Sequence, residues 1–122
     1  VEPKQPYHLF LDDERSPKDV YWVQYAATPH FQDPAWVIVR TYRDFVATIE
    51  NKGLPQAVSF DHDLQDFENG SEFTGSTCAR WLAEYCLDHN QLLPAYIFHS
   101  QNGEGVKTME SILDSCRRVQ AM

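Results

Sequence analysis

Four apolar runs, at 7–12, 36–40, 57–60 and 95–99, are short and rich in Val, Ile, Phe and Tyr, and read as buried strands. Between them the apolar positions change to helical spacing. Thr41, with Asp44 three residues on, starts a helix whose stripe is Tyr42, Phe45 and Ile49, and Gly53 and Pro55 stop it. Cys78, Leu82 and Cys86, with Ala79 and Trp81 nearby, mark a long amphipathic helix that ends before Pro94. Val106, Met109, Ile112, Leu113 and Cys116 mark a last one. After the first strand, Ser16 at the cap, Pro17 in the first turn and Asp19 predict a further helix start. The segment 26–35, with Pro29 and Pro34, reads as an irregular connection. Gln65 to Phe73 reads as a solvated acidic connection, with a lid as the alternative.

Strands separated by helices point to parallel βαβ units with right-handed crossovers. The predicted fold is a single α/β domain over residues 1–122: a three-layer sandwich with a four-stranded parallel sheet in the flavodoxin-like order 2-1-3-4. Strands one, three and four then lie side by side. Ligands in such sheets bind at the carboxyl ends of the strands, and three of the four runs end in titratable clusters: Asp12-Asp13-Glu14-Arg15, Asp61-His62-Asp63 and His99-Ser100. That rim is the candidate active site.

Composition narrows the partners. The chain has 122 residues, 43% of them hydrophobic, and a formal charge of -8 from eighteen acidic against ten basic residues. That charge disfavours a non-specific grip on double-stranded nucleic acid or an anionic membrane, so any phosphate must be held locally. Cys78 and Cys86 lie about 12 Å apart along one helix and cannot bridge, and Cys116 belongs to another apolar stripe. All three read as small core residues in a reducing compartment. With no long apolar stretch or amino-terminal signal, the expected location is cytoplasmic; the start at Val1 points to a removed initiator or tag.

Asp12, Asp13 and Asp61 brought together would repel one another, and a hard cation relieves the repulsion; carboxylates without thiolates suit Mg2+ or Mn2+. The spacing after Asp61 does not fit an EF-hand loop. Lone histidines more often fill space than react, and His8, His30 and His89 take that reading. His62 and His99 differ, because each sits at a strand end beside acids or hydroxyls that can orient the ring, with Asp63 next to His62. Phosphate contacts are expected from Arg15, from Arg40 or Arg43, and from the turn containing Ser100, Asn102 and Gly105, which leads into the last helix. Thr74-Gly75 at the third helix start is a similar candidate.

Taken together, Leu11-Asp12-Asp13-Glu14-Arg15-Ser16-Pro17, Val39-Arg40-Thr41-Tyr42, Ser59-Phe60-Asp61-His62-Asp63-Leu64, Thr74-Gly75 and His99-Ser100-Gln101-Asn102 with Gly105 and Met109 resemble the cyclic-phosphate-processing, receiver-like domain family. The resemblance spans almost the whole chain and implies a response-regulator receiver-like fold acting on cyclic phosphates of nucleotides or RNA ends. Against true receivers, Asp12 and Asp13 resemble the metal-binding acids and Asp61 the phospho-accepting residue, while His99 or Ser100 falls near the conserved hydroxyl. A fifth strand carrying the receiver lysine is absent from the pattern, which argues against an ordinary phospho-switch.

The function these readings converge on is metal-assisted hydrolysis or processing of cyclic phosphates, a phosphoric diester hydrolase. Mg2+ or Mn2+ would sit on Asp12, Asp13 and Asp61, and His62, His99 and Asp63 would move protons. Arg15, Arg40, Ser100, Asn102 and Gly105 would hold the phosphate of a small molecule or an RNA end. The alternatives are a sensor that binds a phosphorylated small molecule without turning it over, and a receiver-like interaction protein dimerising through Trp22, Tyr21 or Tyr25. Oligomeric state is not legible.

Overall fold

In a computed structural model that describes residues 6–23, 25 and 35–122, four parallel strands form one sheet. They are β1 (His8–Leu11), β2 (Trp36–Val39), β3 (Ala57–Phe60) and, after an intervening hairpin, β6 (Ala95–Phe98), in the order β2-β1-β3-β6. Strands one, three and the last are adjacent, as predicted. The numbering differs from the expected 2-1-3-4 because two short strands, β4 (Asp66–Glu68) and β5 (Ser71–Phe73), form an antiparallel ribbon of their own where a connection was expected. The reason lies at its tip: Asn69 and Gly70 both take positive φ (53° and 82°), the pairing a two-residue hairpin turn requires.

The alternation of the strands sorts the core into two faces. Leu9, Leu11, Val58 and Phe60 point to one side, where α1 (Tyr42–Lys52), α2 (Gly75–Asp88) and α3 (Gly103–Gln120) lay down Phe45, Ile49, Cys78, Leu82, Met109, Leu113 and Cys116. Phe10 and Ala57 point to the other and meet Val20 and Tyr25. Each fully buried Leu or Phe here contributes roughly 1.5–3 kcal/mol. Among the described residues all three α-helices cover one face, and the second is covered by the segment around Val20 and Tyr25.

The helix predicted from Ser16 shrinks to a single 3-10 turn at Pro17–Asp19. Its capping chemistry is present, since the Asp19 carboxylate accepts from the Ser16 N–H and hydroxyl, each at 2.9 Å. Capping alone does not extend the turn: beyond it Val20 is buried while Tyr21 and Trp22 face outward. Thr41 caps α1 as its position suggested, Thr74 caps α2, and Asn102 caps α3 by accepting from the Gly105 N–H. Cys78, Cys86 and Cys116 are free and buried. The irregular connection and His30 lie outside the described residues, apart from Ala35. No helix among the described residues is long and apolar enough to cross a membrane.

Candidate functional site

Parallel pairing places Leu11 beside both Val39 and Phe60, and Phe60 beside Phe98. The next residue of each strand therefore makes one further row across the sheet: Arg40, Asp12, Asp61 and His99. Backbone bonds from Asp12 N to Val39 O, Asp61 N to Leu11 O and His99 N to Phe60 O hold the row in register. Side chains on neighbouring strands in such a row are about 4.8 Å apart.

Asp12, Asp61 and His99 are all buried, and one ligand atom from each lies within 4.8 Å of the others, close enough to hold a metal ion. Asp13, predicted to join them, sits half-buried beside Asp12 and outside that trio. Its carboxyl is pushed up by burial and by the charge of Asp12.

The hydrogen bonds say what fills the space between the carboxylates. Asp12 Oδ1 accepts the N–H groups of Glu14 and Arg15, at 2.9 and 2.7 Å. Its Oδ2 accepts Arg15 Nε at 2.9 Å and His99 Nε2 at 3.0 Å. A carboxylate offers about four acceptor positions, so Asp12 is saturated. Arg15 also reaches Asp61 Oδ1 at 3.5 Å, putting one guanidinium between the two acids. Burial opposes the charged form of Asp12, but the bonds from His99, Arg15 and Glu14 outweigh it and hold the carboxyl well below the usual range. Asp61, buried beside that charge with fewer donors, is pushed up to about 6.

His99 is sealed. An ionised Asp12 can only accept, so Nε2 carries the proton, and Nδ1 accepts from the Ser59 hydroxyl at 2.7 Å. Ser59 in turn meets Tyr25 OH at 2.6 Å, and Phe10 stacks on the ring at 4.3 Å. Burial lowers the imidazole pKa, opposed by Asp12. Both nitrogens are thus engaged. For a metal to take all three ligands, Arg15 would have to leave and His99 would have to free Nε2 of its proton.

His62 is built differently. It lies on the helix side of the rim, 16% exposed, with Nδ1 on Asp63 Oδ1 at 3.0 Å. Asn102 also donates to Asp63, at 3.1 and 3.3 Å, which ties the pair to the cap of α3. The bond from His62 pulls the Asp63 carboxyl below its ordinary value. Nε2 has no hydrogen-bond partner among the described residues. Gly105 is what lets the ring in, since a Cβ there would come within 2.3 Å of it. Gly75 plays the same part below, where a Cβ would meet the Asp61 carbonyl oxygen at 2.0 Å.

The other predicted phosphate contacts divide. Arg40 spends Nη1 on the carbonyl oxygens of Asp12 and Arg15, at 3.1 and 2.5 Å, and so fastens the acidic loop. Arg43 pairs with Glu68 of the hairpin. Ser100 accepts the Asn102 N–H at 3.1 Å. Ser59, Tyr25 and Trp22 join the site without having been expected there. Trp22 donates Nε1 to the His99 carbonyl at 3.1 Å and lies 5.3 Å beneath the Arg15 guanidinium. A serine inside an otherwise apolar run is the available signal for Ser59.

A model of the family described as cyclic-phosphate processing receiver domain matches residues 7–115. The chain belongs to that family. Every residue of the two clusters falls inside the match. No curated protein matches the chain. Among solved structures it is similar to one titled as the yeast Spc42 trimeric coiled coil, amino acids 181–211, fused to another structure. That likeness has a TM-score of 0.50 and 14% identity, covers 98% of this chain and 80% of the other, and speaks to fold alone.

Proposed function

We propose that this cyclic-phosphate processing receiver domain opens cyclic phosphate esters, those of a cyclic nucleotide or of an RNA end, at the rim of β1, β3 and β6. The observation that carries the reading is the His62 cluster: an imidazole oriented by Asp63, with its other nitrogen free, beside Asp61 and the start of α3. A carboxylate-oriented histidine with an open nitrogen is the arrangement general acid-base chemistry needs. Nε2 takes a proton from water as the water oxygen bonds to phosphorus. The ring P–O bond breaks, and the imidazolium returns the proton to the departing alkoxide. Arg15 and the first-turn N–H groups of α3 not used by Asn102 face the charge that builds on phosphate. His99, with both nitrogens engaged, serves here to fix Asp12 rather than to move protons.

The spacing of Asp12, Asp61 and His99 favours a second reading, in which Mg2+ or Mn2+ would be held by those three residues. The ion would supply Lewis acidity at the phosphoryl oxygens. One assay separates the readings: turnover of 2′,3′-cyclic nucleotides, an RNA end bearing a cyclic phosphate and ADP-ribose 1″,2″-cyclic phosphate, in EDTA and in millimolar Mg2+ or Mn2+. Turnover in EDTA supports the first reading and turnover only with metal the second. Micromolar binding without turnover in either condition makes the protein a sensor, and neither binding nor turnover rejects the proposal.

A further inference from the structure

Beside the rim stand two aromatic side chains that the proposed chemistry does not use. Val20 and Tyr25 are buried in the second core cluster and anchor the segment between them, turning Tyr21 and Trp22 outward at 83% and 39% exposure. Their rings meet edge to face at 5.3 Å. Trp22 is not loose, since its Nε1 is bonded to the His99 carbonyl and its ring carries the Arg15 guanidinium. An aromatic surface held in place at Trp22 therefore begins one side chain away from Arg15.

We infer that Tyr21 and Trp22 form the platform on which the base of a nucleoside cyclic phosphate stacks. In such a molecule a single ribose ring separates base from cyclic phosphate, as Arg15 alone separates Trp22 from the carboxylates. Stacking also suits the charge of the chain. At -8 it gains little from a polyanion, and a base held by its π-face adds affinity without adding phosphate contacts. The inference rests on the cyclic-phosphate reading and adds to it the residues that recognise the base.

The test compares binding of 2′,3′-cyclic AMP, AMP, a short RNA ending in a 2′,3′-cyclic phosphate and glycerol 1,2-cyclic phosphate, which has no base. Calorimetry serves for all four, with tryptophan fluorescence reporting Trp22. In the parent chain the cyclic nucleotide is expected to bind at least about tenfold more tightly than the glycerol compound; Tyr21→Ala lowers that ratio about tenfold and Tyr21→Phe restores it. A ratio near one in the parent, or one unmoved by Tyr21→Ala in a variant with the parent's circular dichroism and melting curve, overturns the platform while leaving the cyclic-phosphate reading standing. AMP binding as well as the cyclic nucleotide, with the same loss in Tyr21→Ala, keeps the platform and removes the cyclic-phosphate reading. Binding of none of the four removes both. Self-association abolished by Tyr21→Ala, with no effect on nucleotide binding, makes the surface a protein interface and also overturns the inference. Preference for the RNA over the free nucleotide identifies the source of the base.

Discussion

His99 and His62 end neighbouring strands, one beside a serine and the other between two aspartates, and both read as proton carriers in sequence, yet the fold gives them opposite circumstances. His99 falls on the face of Phe10, Ser59 and Tyr25, where it is fully buried and bonded at both nitrogens. His62 falls on the helix face, partly exposed, with one nitrogen held and the other open. The same residue type is bonded at both nitrogens in one place and held at only one in the other. What separates them is the side of the sheet each faces, not the identity of the acids nearby.

The largest expected break in that comparison is catalytic. His62→Ala should lower turnover of a cyclic phosphodiester by about 10²–10⁴-fold, with the urea midpoint close to the parent's. A loss that small in stability and that large in rate is what a positioned proton carrier gives. His99→Ala should do the reverse in kind. Removing one partner of a buried charged network costs roughly 3–5 kcal/mol of folding stability, read by equilibrium denaturation. If His99→Ala melts like the parent and only turnover falls, the roles assigned to the two histidines are exchanged.

Next in size is the cation between the acids. If the Arg15 guanidinium already neutralises Asp12 and Asp61, Mn2+ should stabilise Arg15→Ala far more than the parent. A ligand at about 100 times its Kd adds about 2.7 kcal/mol, a shift of several degrees in Tm. An equal rise in the parent would favour the metal-assisted reading. The smallest effect belongs to the strut behind the row. Ser59→Ala leaves His99 Nδ1 and the Tyr25 hydroxyl without this shared partner and should cost about 1–3 kcal/mol, again by denaturation.

Much of the rim is legible in the amino-acid pattern, and for a definite reason. Strand ends are read from apolar runs, and parallel order places those ends in one row, so Asp12, Asp61 and His99 come together from pattern alone. The alternation that sends His62 to one face and His99 to the other is equally present in the numbering. Occupancy is not legible. That Arg15 turns back onto Asp12, and that Arg40 is consumed by carbonyl oxygens, depends on how two loops settle against each other. The hairpin at Asp66–Glu68 and Ser71–Phe73 carries its Asn-Gly signal openly, but its three-residue polar strands have no apolar period to support it. The helix expected after Ser16 fails for another reason: its start signal is followed by Val20, Tyr21, Trp22 and Val23, a continuous apolar run without helical spacing.

The row of Arg40, Asp12, Asp61 and His99 also has a history in time. Its members arrive from the ribosome in the order 12, 40, 61 and 99, and β6, which brings His99, is the last of the described strands to be made. Until it docks, one edge of β3 offers unpaired backbone groups to any passing strand, and Asp12 and Asp61 share a half-built cleft with no imidazole between Asp12 and Ser59. Completion of the pocket and pairing of that edge of β3 are the same event, and β6 then carries the outer edge of the sheet. A nascent chain stalled before residue 95 would leave β3 unpaired and would lack the strut, whereas docking of β6 supplies both at once.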